Sequence, residues 1–112
     1  MDKSVDLNLL TQKIVDWAKA RKIIPNGNTM TQAIKTLEEV HELIRAIDRK
    51  DHAEITDAYG DIFVTIANGA YLHGVELPEC VKKAYKVIEH RTGTLTKQGG
   101  FIKDKEVSND NK

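Results

Sequence analysis

The sequence predicts an all-α fold, a four-helix bundle in one domain that homo-oligomerisation completes. Its 112 residues are enough for a single domain with a small core. Four stretches carry apolar residues at helical spacing and are separated by turn residues, and no stretch shows the alternation typical of a strand. The third stretch is apolar around most of its circumference, so a second copy of the chain is expected to cover what three helices leave exposed.

The first helix is expected from about Ser4 to Ala20, where Leu10, Ile14 and Trp17 recur at helical spacing. It ends before the turn sequence Pro25-Asn26-Gly27. A tryptophan in this position is more often a core anchor than a ligand contact. Stacking of its indole on a nucleobase is the alternative interpretation.

The second helix is expected to begin at Thr29, which forms a capping box with Gln32, and to run to about Lys50. Its predicted apolar stripe consists of Ala33, Leu37, Val40, Ile44 and Ile47. Three acidic residues lie away from that stripe, namely Glu38, Glu39 and Glu42. Such a face is usually no more than solvated surface on a monomer, and that interpretation stays open here.

The third helix is expected from an N-cap at Asp51, with Glu54 three residues later, to His73, where Gly74 ends it. Apolar residues cover most of it: Ile55, Tyr59, Ile62, Phe63, Val64, Ile66, Ala67, Ala70, Tyr71 and Leu72. Asp57 and Asp61 begin a polar strip that continues to Asn68. Charged side chains on a largely buried helix are costly unless they are paired or bind a metal, so this strip favours a functional site.

The fourth helix opens at Leu77-Pro78 and ends at Gly93. It is expected to turn four residues inward, namely Val81, Ala84, Tyr85 and Ile88, and it carries the basic residues Lys82, Lys83, Lys86 and Arg91. The segment from Gly99 to Lys103 is expected to be a flap over a site or a strap that tucks Phe101 into a groove. The domain is expected to span residues 1–105, followed by a polar, disordered tail at 106–112.

Composition excludes several function classes. Lys plus Arg equals Asp plus Glu, which argues against general nucleic-acid binding. No apolar run approaches the roughly 20 residues that span a bilayer, and no signal-peptide pattern is present, so no membrane partner is expected. The single cysteine, Cys80, has no partner for an internal disulfide, which fits a reduced, cytoplasmic setting.

The acidic residues of the second and third helices are spaced to share helix faces, since residues three and four apart are neighbours. If the two faces turn toward each other, several carboxylates meet. Each pair of like charges ~6 Å apart repels by roughly 2–3 kcal/mol at an effective dielectric near 20. A cation must then lie between them, or some must stay protonated. Mg²⁺ prefers oxygen ligands, so the pattern suggests a magnesium site.

These motifs resemble those of the MazG-like all-α nucleoside triphosphate pyrophosphohydrolases, in particular small members from phages and mobile elements. The family's EExxE motif appears as Glu38-Glu39-Val40-His41-Glu42, preceded by Gln32 and Lys35 at similar spacing. Its ExxD region appears as Asp57-Ala58-Tyr59-Gly60-Asp61. Downstream, Ala84-Tyr85, Arg91, Gly93 and Gly100-Phe101-Ile102-Lys103 are also similar, so the resemblance covers about residues 14–105.

One departure from the family pattern concerns the ExxD motif. The family places a glutamate at the position of Ala58. Asp57 is one residue away and one turn before Asp61, so it is expected to reach the same space. The departure leaves Glu39, Glu42 and Asp61 as the firmest correspondence.

The resemblance implies roles for these side chains. The expected Mg²⁺ ligands, with Mn²⁺ able to replace Mg²⁺, are Glu39, Glu42, Asp57 and Asp61. Glu38 is expected to be an extra ligand or the catalytic base that orients the attacking water. The candidate substrate contacts are Lys35, Lys86, Arg91 and Lys103 for phosphates, Asn68 for base or sugar, and Trp17 for stacking on the base.

The first functional hypothesis is therefore a Mg²⁺-dependent homodimer or homotetramer that hydrolyses nucleoside triphosphates, standard or non-standard, to monophosphate and pyrophosphate. The alternative is a catalytically inert helical module whose acidic face binds a basic protein or stabilises an assembly, and Ala58 keeps it open. A third option is hydrolysis of a related diphosphate or another small phosphorylated metabolite.

Overall fold

The computed structural model describes residues 5–24 and 26–104 and confirms the four predicted helices. The elements are α1 (Leu7–Ala20), α2 (Thr29–Asp48), α3 (His52–His73), α4 (Leu77–Ile88), β1 (Gly93–Leu95) and β2 (Phe101–Lys103). The two short strands correct the expectation of a fold without strands. Ser4, Pro25 and the tail predicted at 106–112 lie outside the described residues. The chain divides into two compact units between Leu77 and Pro78.

Side-chain caps fix where the first three helices begin. Asp6 Oδ1 accepts a hydrogen bond from Leu9 N at 3.2 Å, and Asn28 and Asp51 cap α2 and α3 in the same way at 3.1 Å each. The cap of α2 is thus Asn28, which corrects the prediction of Thr29. At the other end of α3, Gly74 adopts φ 75°, a left-handed conformation that favours glycine and ends the helix as predicted.

The α2 cap provides a test of this geometry. Replacement of Asn28 by alanine is expected to lower the free energy of unfolding by about 0.5–2 kcal/mol, because the N–H of Thr31 loses its acceptor. Urea denaturation followed by circular dichroism measures the change. Asn8→Ala is the matched control: Asn8 lies inside α1 and caps nothing, so its replacement is expected to leave stability unchanged or slightly higher. Equal losses in both variants would contradict the cap assignment.

In the first unit, α3 packs against both α2 and α1. Thr36 Oγ1 lies 2.7 Å from Thr65 Oγ1, and a methyl group placed on Gly69 would lie 3.5 Å from the Cβ of Gln32. From Gln32 to Thr36 the chain advances four residues along α2, and their partners Gly69 and Thr65 go back four residues along α3. The two helices form an antiparallel hairpin with a fixed register.

The side of α2 that faces α3 differs from the predicted apolar stripe. Its more buried positions are Gln32, Thr36, Glu39, Val40, Leu43 and Ala46. Of the predicted stripe, only Val40 is half-buried, whereas Leu37 is 69% exposed and Ile44 and Ile47 are exposed as well. The contact with α3 thus mixes polar side chains with Val40, Leu43 and Ala46, and the apolar Leu37, Ile44 and Ile47 are left exposed.

The buried apolar cluster of this unit lies where α1 and the following turn meet the end of α3. It consists of Val15, Ala18 and Ile24, with Ile23 and Leu72 packed against it. A hydrogen bond with Tyr71 raises the pKa of Lys19, whose ammonium lies 4.7 Å from the ring centroid. This contact joins α1 to α3 at the surface.

Trp17 is not part of that cluster. Its side chain is 45% exposed, and the Arg21 guanidinium lies 4.7 Å from the indole centroid. The expectation of a core anchor was therefore wrong, because α1 turns Val15 and Ala18 toward α3 instead.

The second unit contains α4 and the β1–β2 hairpin. The strands are antiparallel and pair Gly93 with Lys103 and Leu95 with Phe101. The Phe101 ring lies across Gly93, where a Cβ would clash with it, so the glycine serves the hairpin. One prediction is corrected here: Gly93 begins a strand instead of ending a helix. Residues 101–103, part of the segment expected to be a flap or a strap, form the other strand of the β1–β2 hairpin.

The apolar residues predicted to turn inward from α4 are exposed in the single chain, which corrects that prediction. They are Val81, Ala84, Tyr85 and Ile88. No described residue of this unit is fully buried. Within residues 5–24 and 26–104, no helix is both long enough and apolar enough to cross a membrane.

Candidate functional site

The three glutamates of α2 differ in the direction they face. Glu39 is half-buried and belongs to the side that packs on α3. Glu38 and Glu42 are exposed, and the carboxylate of Glu38 lies 3.5 Å from the ammonium of Lys35. Both of these side chains are more than half exposed, so this ion pair contributes little to stability. Glu39 is thus the glutamate turned toward the neighbouring helix.

On α3, Asp57 and Asp61 are exposed, whereas Ala58 is only 4% exposed and faces α2. Ala58 is the position at which the resemblance leads us to expect a glutamate. A side chain at that position points into the contact between the helices. Asp57 points about 100° away from it, because consecutive residues of an α-helix differ by that angle. The Asp57 side chain therefore does not point into the contact between the helices as a side chain at position 58 does.

The register of the hairpin brings these acidic positions to one level. The contact between Thr36 and Thr65, continued by one turn, places Val40 opposite Asp61 and Glu39 opposite Ile62. Residues 39–42 of α2 therefore lie beside residues 59–62 of α3.

Helical geometry also places Glu42 and Asp61 on the same flank of the hairpin. Glu42 follows Glu39 by three residues, and Asp61 follows Ala58 by three. Because Glu39 and Ala58 face the other helix, Glu42 and Asp61 each lie about 60° round their own helix from that facing side, in the same rotational sense. In an antiparallel pair, equal rotations in one sense lead to the same flank. Asp57 lies further round α3 on that flank. Glu39 is then central, with Glu42 and Asp61 beside it.

The side-chain positions do not form a closed metal site. Within the described part of the chain, no three His, Cys, Asp or Glu side chains lie close enough together to hold a metal ion. The four proposed ligands also make no hydrogen bond or ion pair with another described residue. The structure thus brings their backbone positions to one place and leaves their carboxylates apart and unengaged.

The chemistry of this donor set fits Mg²⁺ or Mn²⁺. All four groups offer carboxylate oxygens, the ligands that hard divalent cations prefer, and no histidine or thiolate competes among them. Their mutual repulsion opposes convergence unless positive charge lies between them.

Two of the candidate substrate contacts in the first unit are now located. Asn68 is 3% exposed, and its Oδ1 is buried without a hydrogen-bond partner among the described residues. A buried amide oxygen without a donor costs about 1–3 kcal/mol, which sets Asn68 apart from the other polar side chains of α3. Lys35 lies on the same flank of α2 as Glu42, but it is engaged with Glu38.

The other cationic candidates belong to the second unit. Lys86 is exposed on α4, beside Lys82, Lys83 and Glu79. Arg91 is half-buried, and its Nε is buried without a partner among residues 5–24 and 26–104. Lys103 lies in β2, opposite Gly93.

Sequence reasoning missed one contact at this site, the hydroxyl pair between Thr36 and Thr65. The signal for it was weak: Thr36 follows Gln32 by four residues on α2, and Thr65 follows Asp61 by four on α3. Threonine spacing alone does not indicate which residues meet across two helices. The register that joins the two hydroxyls became visible only in the structure.

Comparison with known proteins gives one finding. The model of the family described as MazG nucleotide pyrophosphohydrolase domain matches residues 28–95, more than half of the chain and the part that carries all five acidic candidates. No curated protein and no solved structure matches the chain.

Proposed function

This chain belongs to the MazG nucleotide pyrophosphohydrolase domain family, and from that membership we propose that it hydrolyses nucleoside triphosphates to nucleoside monophosphate and pyrophosphate, with Mg²⁺ as the cofactor. One structural observation supports the proposed cation site in addition to the family membership. The register between Thr36 and Thr65 supports it, because helical geometry continued from that contact sets the backbone of Glu39 at the level of Asp61. Acidic side chains from two helices are thereby available to a cation at one place.

In this proposal Glu39, Glu42, Asp61 and Asp57 hold the cation, and Mn²⁺ can replace Mg²⁺. When bound, the cation offsets the negative charge of the triphosphate and makes water more acidic. Without it, an acidic flank would repel the substrate. Lys35, on α2, is proposed as a phosphate contact. Lys86, Arg91 and Lys103 are proposed as phosphate contacts from the resemblance to the family alone.

Glu38 is proposed as the catalytic base, or as an additional ligand. Its carboxylate accepts a proton from the attacking water, whose oxygen forms a bond to phosphorus while the bond in the α–β anhydride breaks. Pyrophosphate leaves with the electron pair of that bond. Lys35 lies 3.5 Å from this carboxylate, so it can release Glu38 and move to a phosphate oxygen of the substrate. Asn68 offers its unpartnered amide oxygen to a donor of the base or sugar, and Trp17 offers the ring face not covered by Arg21.

A panel of standard and non-standard nucleoside triphosphates, assayed with Mg²⁺ and with EDTA, tests this function. We expect pyrophosphate and monophosphate from at least one nucleotide, only when the divalent cation is present. Release of orthophosphate instead of pyrophosphate would support the third option, a phosphohydrolase that acts on a related diphosphate or another small phosphorylated metabolite. No turnover of any nucleotide would contradict the proposal and support the inert interaction module.

We further propose that the protein is a cytoplasmic homodimer or homotetramer, with neither nucleic acid nor membrane as a partner. The exposed apolar side of α2 supports the assembly, since Leu37, Ile44 and Ile47 lie together outside the hairpin. Exposed apolar patches of this kind mark interaction surfaces.

Introduction of charge on that side tests the assembly. The double variant Leu37→Glu/Ile44→Glu is expected to sediment as a monomer at micromolar concentration, because burial of two carboxylates in an apolar interface is unfavourable. Analytical ultracentrifugation gives the mass. His52→Glu, an exposed position in the first turn of α3, is the control and is expected to keep the wild-type mass. A wild-type protein that already sediments as a well-folded monomer would contradict the assembly.

A further inference from the structure

The centre of the α2–α3 contact is polar. Thr36 Oγ1 and Thr65 Oγ1 lie 2.7 Å apart, and Thr65 is only 8% exposed. Within residues 5–24 and 26–104, this is the one side-chain hydrogen bond that joins α2 to α3. A contact between two hydroxyls at this place therefore requires a reason other than general packing.

Each hydroxyl of the pair also has a hydrogen-bond acceptor in its own helix. Thr36 Oγ1 also lies 3.0 Å from the carbonyl of Gln32, and Thr65 Oγ1 lies 2.8 Å from the carbonyl of Ile62. Two hydroxyls have two protons for these three contacts. The bond across the helices uses one proton, and the other stays on a carbonyl of its own helix. In this register one hydroxyl therefore accepts as well as donates, whereas any other register leaves each hydroxyl only the carbonyl of its own helix.

The pair lies one turn from the proposed ligands on both helices. Glu39 follows Thr36 by three residues, and Asp61 precedes Thr65 by four. A shift of one helix against the other by a single turn moves side chains by about 5.4 Å, more than twice a metal–oxygen bond. The relative position of Glu39 and Asp61 is therefore set by whatever holds this register.

We propose that Thr36 and Thr65 are positioning residues for the candidate site: their hydroxyl pair fixes the register that places Glu39 beside Asp61. The inference rests on the proposed function, because it assigns the pair to the same cation site. Valine has the shape of threonine, and replacement of both partners of a buried hydrogen bond by apolar groups of that shape is often neutral for stability. Apolar side chains, however, accept several registers, whereas a hydroxyl pair specifies one.

The experiment measures cation affinity apart from activity. The probe is Mn²⁺ alone, titrated by calorimetry into the wild-type protein and into Thr36→Val/Thr65→Val. We expect the urea midpoint of the double variant to equal or exceed that of the wild type, while its affinity for Mn²⁺ falls by about 10–100-fold, the effect typical of groups that orient metal ligands. Thr36→Ser/Thr65→Ser retains both hydroxyls and is expected to recover the affinity.

Thr56→Val is the matched control. Thr56 also donates to the carbonyl four residues earlier, that of His52, at 3.0 Å, but it is exposed and reaches no other helix. Its replacement is expected to leave Mn²⁺ affinity unchanged. A loss equal to that of the double variant would show that any threonine in α3 has this effect, and would overturn the inference.

The outcomes separate the two proposals. A wild-type protein that binds no Mn²⁺ and releases no pyrophosphate would overturn the proposed function and the positioning role together. A wild-type protein that does both, beside a double valine variant of unchanged affinity, would overturn the positioning role alone. If the valine variant does not fold, the serine variant decides: retained affinity supports the hydroxyl pair, and lost affinity overturns it.

Discussion

Replacement of Glu39 by glutamine is expected to reduce Mg²⁺-dependent pyrophosphate release by roughly 10²–10³-fold, the cost typical of removing one group that stabilises the transition state electrostatically. Glu39 is the half-buried glutamate on the side of α2 that faces α3, at the level of Asp61. Glutamine keeps the shape and removes the charge. The same large loss is expected for Asp61→Asn, because both carboxylates hold the same cation.

The stability of the Glu39→Gln variant should change in the opposite direction to its activity. In EDTA, removal of one of several like charges relieves repulsion, so the urea midpoint is expected to stay the same or rise. Glu79→Gln is the control, since Glu79 lies in the first turn of α4 and has no proposed role in the cation site. A Glu39→Gln variant that retains wild-type turnover would show that this carboxylate holds no essential cation.

A glutamate restored at position 58 is expected to make folding depend on a divalent cation. Ala58 is 4% exposed and faces α2, so Ala58→Glu places a carboxylate inside the helix contact. Without metal, an uncompensated buried charge is expected to cost about 3–5 kcal/mol. With Mn²⁺, the new carboxylate can become a ligand, so the cation should raise the melting temperature of this variant more than that of the wild type.

Ala58→Gln is the matched control for that experiment. It adds nearly the same volume and no charge, so it is expected to lose stability by overpacking and to show no larger response to Mn²⁺ than the wild type. Thermal unfolding in EDTA and in Mn²⁺ compares the three proteins. Equal Mn²⁺ responses of Ala58→Glu and Ala58→Gln would mean that position 58 does not point at a cation site.

The helices of this protein were predictable because their ends carry strong local signals. Asp51 caps α3 and Gly74 ends it in a left-handed conformation, as the sequence indicated. The side of α2 that faces α3 was not predictable from apolar periodicity. That side contains Gln32, Thr36 and Glu39, and the apolar Leu37 and Ile44 lie outside it. Periodicity identifies an apolar face but not the neighbour that covers it.

The β1–β2 hairpin was not predicted, for a different reason. Its strands contain three residues each, too few for an alternating pattern to stand out, and the first begins with a glycine. Gly93 was taken for a helix end because glycine is common there, whereas its actual neighbour is the ring of Phe101. A contact between residues eight apart leaves no local signal.

The acidic residues were identified from sequence spacing, but their arrangement depended on the register between two helices. Spacing shows that Glu39 and Glu42 share one helix face and that Asp57 and Asp61 share another. The contacts between the helices, Thr36 with Thr65 and Gln32 with Gly69, show that these faces lie at one level.

The position of the bound cation tests whether carboxylates of α2 and α3 hold the same metal ion. Crystals of the protein grown with Mn²⁺ and measured at the manganese absorption edge give an anomalous difference map. We expect a peak between α2 and α3, within about 2.0–2.6 Å of carboxylate oxygens of Glu39 and Asp61. A well-ordered structure whose only manganese peaks lie away from these two side chains would contradict it.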